Sequence, residues 1–260
     1  MMLGPAFIVG LLVFIIAAVV IIILVKKILK AVFLILALFL VIILILGFFV
    51  YRDVVDLQKN FGTQNSLVLM DLDDEIVAGV IGSFSGEEAT PIWDIGDYNA
   101  KYMAGDYDGL LGQNYKLIVF EEEAFDDVGG IVIIGKEYSS NFIISLLRSG
   151  TPIDDYVDNE MRIQNLPEAE EKIAKRELRR QITYSNTEFK SVLFGALLGK
   201  AMEDQGFIFI LEQYREEDVM IYKETLTFKL IKTFPMSFVK GLVEKGKDKV
   251  QGMVVNMIGG

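Results

Sequence analysis

The sequence predicts a membrane-anchored α+β protein: an N-terminal two-helix transmembrane hairpin, followed by a soluble domain with antiparallel β-hairpins and a central run of helices. The first fifty residues contain two charge-free apolar runs, 5–25 and 31–50, separated by five residues that include three lysines. In the remainder, β-prone segments lie at both ends and helix-forming segments lie in the middle. Because strands and helices do not alternate regularly, a doubly wound parallel sheet is disfavoured.

Each apolar run has about the 20 residues that a helix needs to cross the hydrocarbon core of a bilayer. A single helix through both runs would be roughly 68 Å long and would place the lysines near its middle. A cleaved signal peptide would need a basic start, and no Lys or Arg precedes the first run. A hairpin is therefore favoured, since Lys26, Lys27 and Lys30 then lie at one membrane interface with their ammonium groups in water.

The flanking charges predict the orientation of the hairpin. Its loop carries three lysines, whereas Arg52 and Lys59 follow the second run beside Asp53 and Asp56. Cytoplasmic loops collect Lys and Arg. The expected protein is thus a two-pass membrane protein with the loop inside and the large domain outside the cytoplasm.

Composition excludes several functions. The chain after residue 50 has 22 basic and 36 acidic residues, a net charge of −14, and phosphate binding requires the opposite sign, so nucleic acid is not an expected partner. The chain has no Cys and no His. Catalysis by Cys–His or Ser–His–Asp groups and zinc, haem–His or iron–sulfur sites are therefore excluded, and no cofactor is expected.

Four regions are predicted: the hairpin at 1–50, a helical stalk at 51–62, the acidic α+β domain at 63–235 and an amphipathic tail at 236–260. Within the domain, runs rich in Val, Ile, Leu and Phe, joined by polar turns, predict three strand pairs. The pairs are 67–70 with 76–81, 116–120 with 131–134, and 207–211 with 219–222. Residues 226–231 fit either a strand or a helix, and residues 83–113 fit a long loop or a small subdomain.

Capping signals predict four central helices. Asn141 is the expected cap of the first, Thr151-Pro152 begins the second, Pro167 begins the third, and Asn186 or Thr187 caps the fourth. In the third helix, acids come early and bases late, which suits the helix dipole. Its lysines and arginines are expected to pair with acids three or four residues away.

The candidate sites are carboxylate clusters. Asp71, Asp73, Asp74 and Glu75 lie near one turn, and five acids lie within 121–127. Oxygen-rich clusters of this kind hold calcium in some proteins, but the EF-hand spacing is absent and a solvated turn is favoured. Paired carboxylates beside the aromatic stretch of Trp93, Tyr98, Tyr102 and Tyr107 would also suit sugar hydrolysis, although chance pairs are expected among so many acids.

The C-terminal tail has apolar residues at near-helical spacing with lysines between them. That pattern is typical of an interfacial amphipathic helix, and the alternatives are packing on the protein's own core or on the extended second membrane helix. The lysines expected at a membrane interface are Lys26, Lys27, Lys30, Lys240, Lys245, Lys247 and Lys249.

The sequence therefore indicates a membrane-anchored binding or scaffolding protein, part of a larger membrane or cell-surface assembly. Its expected partners are the lipid bilayer and either other membrane or surface proteins or further copies of itself. No catalytic motif is recognisable. The alternatives are a carboxylate-dependent or cation-dependent hydrolase at the membrane surface, and an accessory subunit of a transport or secretion complex.

Overall fold

The computed structural model describes residues 5–61, 63–83, 89–133, 135–164 and 167–233. The contacts divide the chain into two compact units, Met1–Arg52 and Asp53–Gly260. The predicted tail at 236–260 lies outside the described residues.

A single long apolar helix, α1, spans Pro5–Asn60. The predicted two-helix hairpin is therefore not what the structure shows, because helix α1 continues through Lys26, Lys27 and Lys30. The physical reason is local: the five residues between the apolar runs are Lys, Ile and Leu, which favour helix, and none is Gly or Pro.

Within helix α1, residues Val25–Leu57 are long and apolar enough to cross a membrane, judged by length and composition. The side chains of residues 25–45 are exposed. A membrane anchor and a signal sequence both have this character. A second span is not supported.

The second unit contains seven strands, a short 3-10 helix and eight further helices among its described residues. The strands are β1 Ser66–Leu72, β2 Glu75–Gly82, β3 Thr90–Pro91, β4 Leu117–Phe120, β5 Ile131–Ile133, β6 Lys136–Tyr138 and β7 Val219–Tyr222. The 3-10 helix is Glu122–Phe125. The helices are α2 Gly96–Met103, α3 Tyr107–Leu111, α4 Ser140–Arg148, α5 Pro152–Gln164, α6 Glu168–Gln181, α7 Asn186–Gln205, α8 Phe207–Glu216 and α9 Leu226–Ile231.

Five strands form a mixed sheet in the order β3-β2-β1-β4-β7, and strands β5 and β6 form a separate pair. Strands β1 and β4 are parallel, with Leu69 opposite Val119, whereas the other neighbours in the sheet are antiparallel. The register of β1 against β2 shifts between Met70 and Asp71. This irregularity lies near the end of β1, where bulges commonly redirect a side chain.

Both faces of the sheet are covered. One face packs against helices α4, α7 and α8 around Phe120, Phe125, Phe194 and Phe209, and helix α5 packs on α4 and α7. The other face packs against α2 and α3 through Leu69, Val119, Leu110 and their neighbours. Burial on both faces explains why β1 and β4 are apolar along almost their whole length. The last turns of α1 belong to this unit, and Leu57 and Phe61 are buried in the larger core.

The first predicted strand pair is confirmed, since β1 and β2 are antiparallel neighbours. The other two pairings are wrong. Strand β4 lies between β1 and β7, and β5 pairs with β6 instead. Residues 207–211 form the start of helix α8, where Phe209, Ile210 and Tyr214 are buried. Gly206, at a φ of +60°, separates this helix from α7.

The four central helices are confirmed, with small corrections at their starts. Ser139 caps α4 and Ser185 caps α7, the latter in a capping box with Glu188. Both caps precede the predicted ones because a Ser side chain was available earlier. On α6, the expected pairs form between Lys172 and Glu168 and between Lys175 and Glu171. Residues 226–231 form a helix, and the 83–113 region contains helices α2 and α3.

The turn between β1 and β2 is strained. Asp73 and Asp74 have φ values of +58° and +66°, a combination for which Asn-Gly or Asp-Gly is the usual choice. We expect Asp74→Gly to raise the free energy of unfolding by about 0.5–1 kcal/mol, since glycine adopts this conformation without steric cost. Urea unfolding of the full chain in mild detergent, followed by the fluorescence of Trp93, measures the change.

Asp74→Asn is the control, because it removes the same charge and keeps the side chain. A smaller gain for Asp74→Asn than for Asp74→Gly is expected. Equal gains would assign the effect to charge alone, and a loss in Asp74→Gly would contradict the prediction.

Candidate functional site

Carboxylates from three segments meet at one end of the strands of the sheet. The parallel strands β1 and β4 end there, and the antiparallel strand β7 begins there. Asp71 and Asp74 come from the end of β1 and its turn, the 3-10 helix region follows β4, and Asp218 precedes β7. The acidic rim is defined here as Asp71, Asp74, Glu121, Glu123, Asp126, Glu216 and Asp218, whose charges act on one another.

Asp71 is the buried member of the acidic rim, with 7% of its surface exposed. Its Oδ2 accepts a 2.6 Å hydrogen bond from the hydroxyl of Tyr102 on α2. Its Oδ1 is buried and accepts no hydrogen bond of standard geometry from the described residues. Burial raises the pKa of the Asp71 carboxyl above its ordinary value of 3.8, and the charge of Asp74 adds to the rise while the Tyr102 hydroxyl opposes it.

Glu121 and Asp218 are similarly affected. Glu121 is exposed and Asp218 is half-buried. Partial desolvation raises the pKa of both carboxyls, and neighbouring carboxylates raise it further: Glu123 and Asp71 act on Glu121, and Glu216 and Glu123 act on Asp218. The main chains of these two residues are joined, since Glu121 N–H donates to Asp218 C=O at 2.9 Å. The rim is therefore an electrostatically strained cluster whose negative charge is not fully compensated.

Arg148, at the end of helix α4, provides partial compensation beside the rim. Its Nη2 donates to Glu122 at 2.5 Å, and its Nε lies 3.6 Å from an oxygen of Asp73. These two acids adjoin the rim without belonging to it. Arg148 thus links the β1–β2 turn to the segment after β4 and leaves the rim itself acidic.

The arrangement of the carboxylates limits the ligands that suit them. Among the residues that the structure describes, no three His, Cys, Asp or Glu side chains are placed to hold one metal ion. In the cluster of Asp71, Asp73, Asp74 and Glu75, for which a solvated turn was favoured over calcium binding, Asp71 accepts a hydrogen bond from Tyr102 and Asp73 lies beside Arg148. A row of spaced carboxylates suits several ammonium or guanidinium groups, each meeting its own partner.

The raised pKa values predict that the protein is more stable in mild acid than at neutral pH. A carboxyl with a raised pKa binds its proton more tightly in the folded state, so its contribution to stability is present below the unfolded pKa. That contribution is lost as the pH rises through the raised pKa values of Asp71, Glu121 and Asp218. We expect the urea concentration at the unfolding midpoint of the full chain to decrease as the pH rises from about 4, the ordinary carboxyl pKa, to neutrality.

Asp71→Asn should reduce this pH dependence and raise stability at pH 7.5, because Asn accepts the Tyr102 hydrogen bond without a buried charge. Glu170→Gln is the control, since Glu170 is exposed on α6 and outside the rim. An unchanged pH profile in Asp71→Asn would contradict the assignment of the effect to the rim.

The aromatic stretch considered for sugar binding serves mainly as packing. Tyr98, Tyr102 and Tyr107 lie against the core formed with α2 and α3, and the rings of Tyr107 and Tyr222 are 5.6 Å apart. Trp93 is half exposed. Close by in the sequence, Ser139 caps α4 and Lys136 pairs with Glu160.

A groove of about 500 Å³ runs beside strand β7. All four residues of β7 line it, and its walls come from the end of α8 and from α9, with Tyr214, Glu217, Lys229 and Lys232 among the lining side chains. The groove begins next to Asp218, and thus next to the acidic rim.

The membrane-interface lysines fall into two groups. Lys26, Lys27 and Lys30 are exposed on helix α1. Lys240, Lys245, Lys247 and Lys249 lie outside the described residues. The structure does not test the interface role of either group.

The sequence analysis did not single out Asp218, and it considered Tyr102 for sugar binding and not as the hydrogen-bond partner of Asp71. Asp218 is nearly 100 positions from Glu121, and only the β4–β7 pairing brings them together. A weak signal existed for Asp71, because it is the single charged residue inside the apolar strand β1. A charge in such a position requires a buried partner.

Comparisons of the chain with protein-family models, with curated proteins and with solved structures find no significant match.

Proposed function

We propose that this protein is a membrane-anchored binding protein whose acidic rim docks a basic segment of a partner. The feature that supports it most directly is the placement of the rim carboxylates, which the β1–β4 and β4–β7 pairings bring to the same end of the sheet; desolvation and their mutual repulsion also raise the pKa of Asp71, Glu121 and Asp218. A bound ammonium or guanidinium group would reduce the repulsion between these carboxylates. The reduced repulsion would make binding of a basic segment more favourable.

The anchor is helix α1. Its charge-free segment 31–50 is long enough to cross a bilayer, and its described side chains in this segment are exposed, Phe33 at 68%. Exposed apolar surface on this scale is costly in water and stable in lipid. Lys26, Lys27 and Lys30 would lie at one interface, with Arg52 and the acidic unit on the opposite side.

Cysteine labelling tests the anchor, since the native chain has no Cys. With an impermeant thiol reagent on intact cells, Thr63→Cys and Thr187→Cys should label and Lys27→Cys should not. Release of the protein by alkaline carbonate, or labelling at all three positions, would overturn the membrane assignment. Met2→Cys then reports on which side of the membrane the N-terminus lies.

A basic probe tests the rim. A fluorescent eight-residue peptide of alternating Lys and Val should bind the full chain in detergent micelles, and its affinity should fall with added salt. Asp218→Asn and Glu121→Gln should each weaken binding several-fold, and Glu170→Gln should not. Equal binding by a matched peptide with Glu in place of Lys would overturn the proposed function.

A further inference from the structure

We propose that the chain's own C-terminal tail, residues 236–260, occupies the acidic rim in the free protein and competes with a basic partner for the same carboxylates. This inference rests on the proposed function, because it assigns the regulation of that same rim. A tethered competitor lowers the affinity for a free ligand without blocking the site permanently, since the tether sets the effective concentration of the competitor.

The tail is basic, whereas the unit to which it is attached is acidic. Residues 53–235 include 17 basic and 34 acidic residues, a net charge of −17. The tail has four lysines and two acids, a net charge of +2. Three of these lysines, Lys245, Lys247 and Lys249, lie within five consecutive residues. The tail therefore carries a concentrated positive charge, which an acidic surface of the same chain attracts.

The described chain ends beside the rim. Helix α9 is followed by Lys232, whose Nζ lies 3.2 Å from an oxygen of Glu217, and Glu217 is flanked in the sequence by two members of the rim. A lysine of this segment thus already pairs with an acid that adjoins the rim. Lys240 comes seven residues after Thr233, and seven extended residues span at most about 25 Å. The tail lysines are therefore tethered within reach of the rim.

Most of the rim carboxylates are accessible to such a segment. Among the described residues, no Lys or Arg side chain forms an ion pair with a rim carboxylate, because Arg148 pairs with the adjoining acids instead. Asp71 is buried, and its Oδ1 accepts no hydrogen bond of standard geometry from the described residues. The other members are exposed or half-buried: Asp74, Glu121, Glu123, Asp126, Glu216 and Asp218. The rim therefore offers unpaired negative charge to lysines that approach from solvent.

An anionic bilayer surface is the other occupant that the charge of the tail would suit. The direction of α9 favours the rim. The helix begins beside Asp53, which follows the apolar part of α1 and accepts a 3.3 Å hydrogen bond from the N–H of Thr227. It ends near Lys232 and Glu217. The tail thus starts from the end of α9 that adjoins the rim and not from the end that adjoins α1.

Competition with the Lys-Val peptide tests the proposal on the full chain in neutral detergent micelles. In the tail variant, glutamine replaces all four tail lysines: Lys240→Gln, Lys245→Gln, Lys247→Gln and Lys249→Gln. Fluorescence anisotropy should show that this variant binds the peptide at least about fivefold more tightly than the wild type, because the tethered competitor is lost.

A control variant separates competition from overall charge. It replaces four exposed bases of α5 and α6 and changes the net charge by the same amount: Arg162→Gln, Lys172→Gln, Arg176→Gln and Arg180→Gln. Its peptide affinity should stay within about twofold of the wild type, since charges far from the rim act only at long range.

Cysteine cross-linking tests the position of the tail directly, since the native chain has no Cys. Gly246→Cys lies in the lysine-rich part of the tail and keeps all four lysines. Asp127→Cys adjoins the rim residue Asp126 and keeps the rim carboxylates. We expect a disulfide between these two positions on mild oxidation, and excess peptide should suppress it. The pair of Gly246→Cys with Glu170→Cys, on α6, is the control and should form no disulfide.

The outcomes separate the tail from the rim. A gain in peptide affinity in the tail variant alone, together with the disulfide, supports the proposal. Equal affinities of the wild type and the tail variant, still weakened by Asp218→Asn, would overturn it and leave the rim proposal standing. The disulfide without peptide binding by any variant would retain the tail contact and overturn the docking of a partner. Equal gains in both glutamine variants, or loss of the disulfide when phosphatidylserine is added to the micelles, would also overturn the tail proposal.

Discussion

Replacement of Phe120 by alanine is expected to lower the free energy of unfolding by about 3–5 kcal/mol, the cost typical of deleting a large buried aromatic side chain. Phe120 is fully buried at the end of strand β4, which lies between β1 and β7 in the sheet. Its ring is stacked on Phe209 at 5.9 Å and lies 5.4 Å from Phe125. The substitution therefore removes the contact that joins the sheet to the 3-10 helix and to α8. Urea unfolding followed by Trp93 fluorescence measures the loss.

Val132→Ala is the control for this prediction. It also truncates an apolar strand residue, but Val132 is 66% exposed, so a change within about 0.5 kcal/mol is expected. A loss below 1 kcal/mol for Phe120→Ala would contradict the assignment of the aromatic cluster as the centre of the larger core. Because Glu121 follows Phe120, the same variant should also weaken peptide binding at the acidic rim.

Local signals in the sequence were sufficient to predict the four central helices and the first β-hairpin. Caps such as Thr151-Pro152 and the polar turn after β1 act within a few residues, and the structure has both elements where the pattern placed them. The partners of β4 could not be predicted in this way. Its neighbours, β1 and β7, lie about 50 and 100 residues away, and only the packing of the whole core selects them.

The errors have different origins. Residues 207–211 read as a strand because Phe and Ile favour strands, but burial of Phe209, Ile210 and Tyr214 on one side of a helix stabilises the other conformation. The run Lys26 to Lys30 read as a loop because a bilayer penalises charge, whereas its residue types favour a continuous helix. The acidic rim was predicted in part. The clusters at 71–75 and 121–127 are visible in the sequence, but their proximity to Asp218 is not.

Among the described residues, Glu160 provides a second buried carboxyl besides that of Asp71, and it has a single compensating charge. Glu160 on α5 is 3% exposed and accepts hydrogen bonds from the Tyr138 hydroxyl and from Lys136 Nζ. The hydroxyls of Tyr138 and Tyr156 are 3.3 Å apart. Burial, and then the bond to Glu160, raises the pKa of the Tyr138 hydroxyl, so this group stays a hydrogen-bond donor at neutral pH.

Lys136→Met is therefore expected to lower the free energy of unfolding by about 3 kcal/mol, because it leaves the carboxylate of Glu160 buried without a counter-charge. The value lies at the low end of the usual range, since the Lys136 side chain is about half exposed and water screens the pair. The double variant Lys136→Met/Glu160→Gln should recover most of the loss, as glutamine still accepts the Tyr138 hydrogen bond. Urea unfolding of the wild type, Lys136→Met, Glu160→Gln and the double variant completes the thermodynamic cycle. A double variant no more stable than Lys136→Met would show that the lysine acts through packing rather than charge.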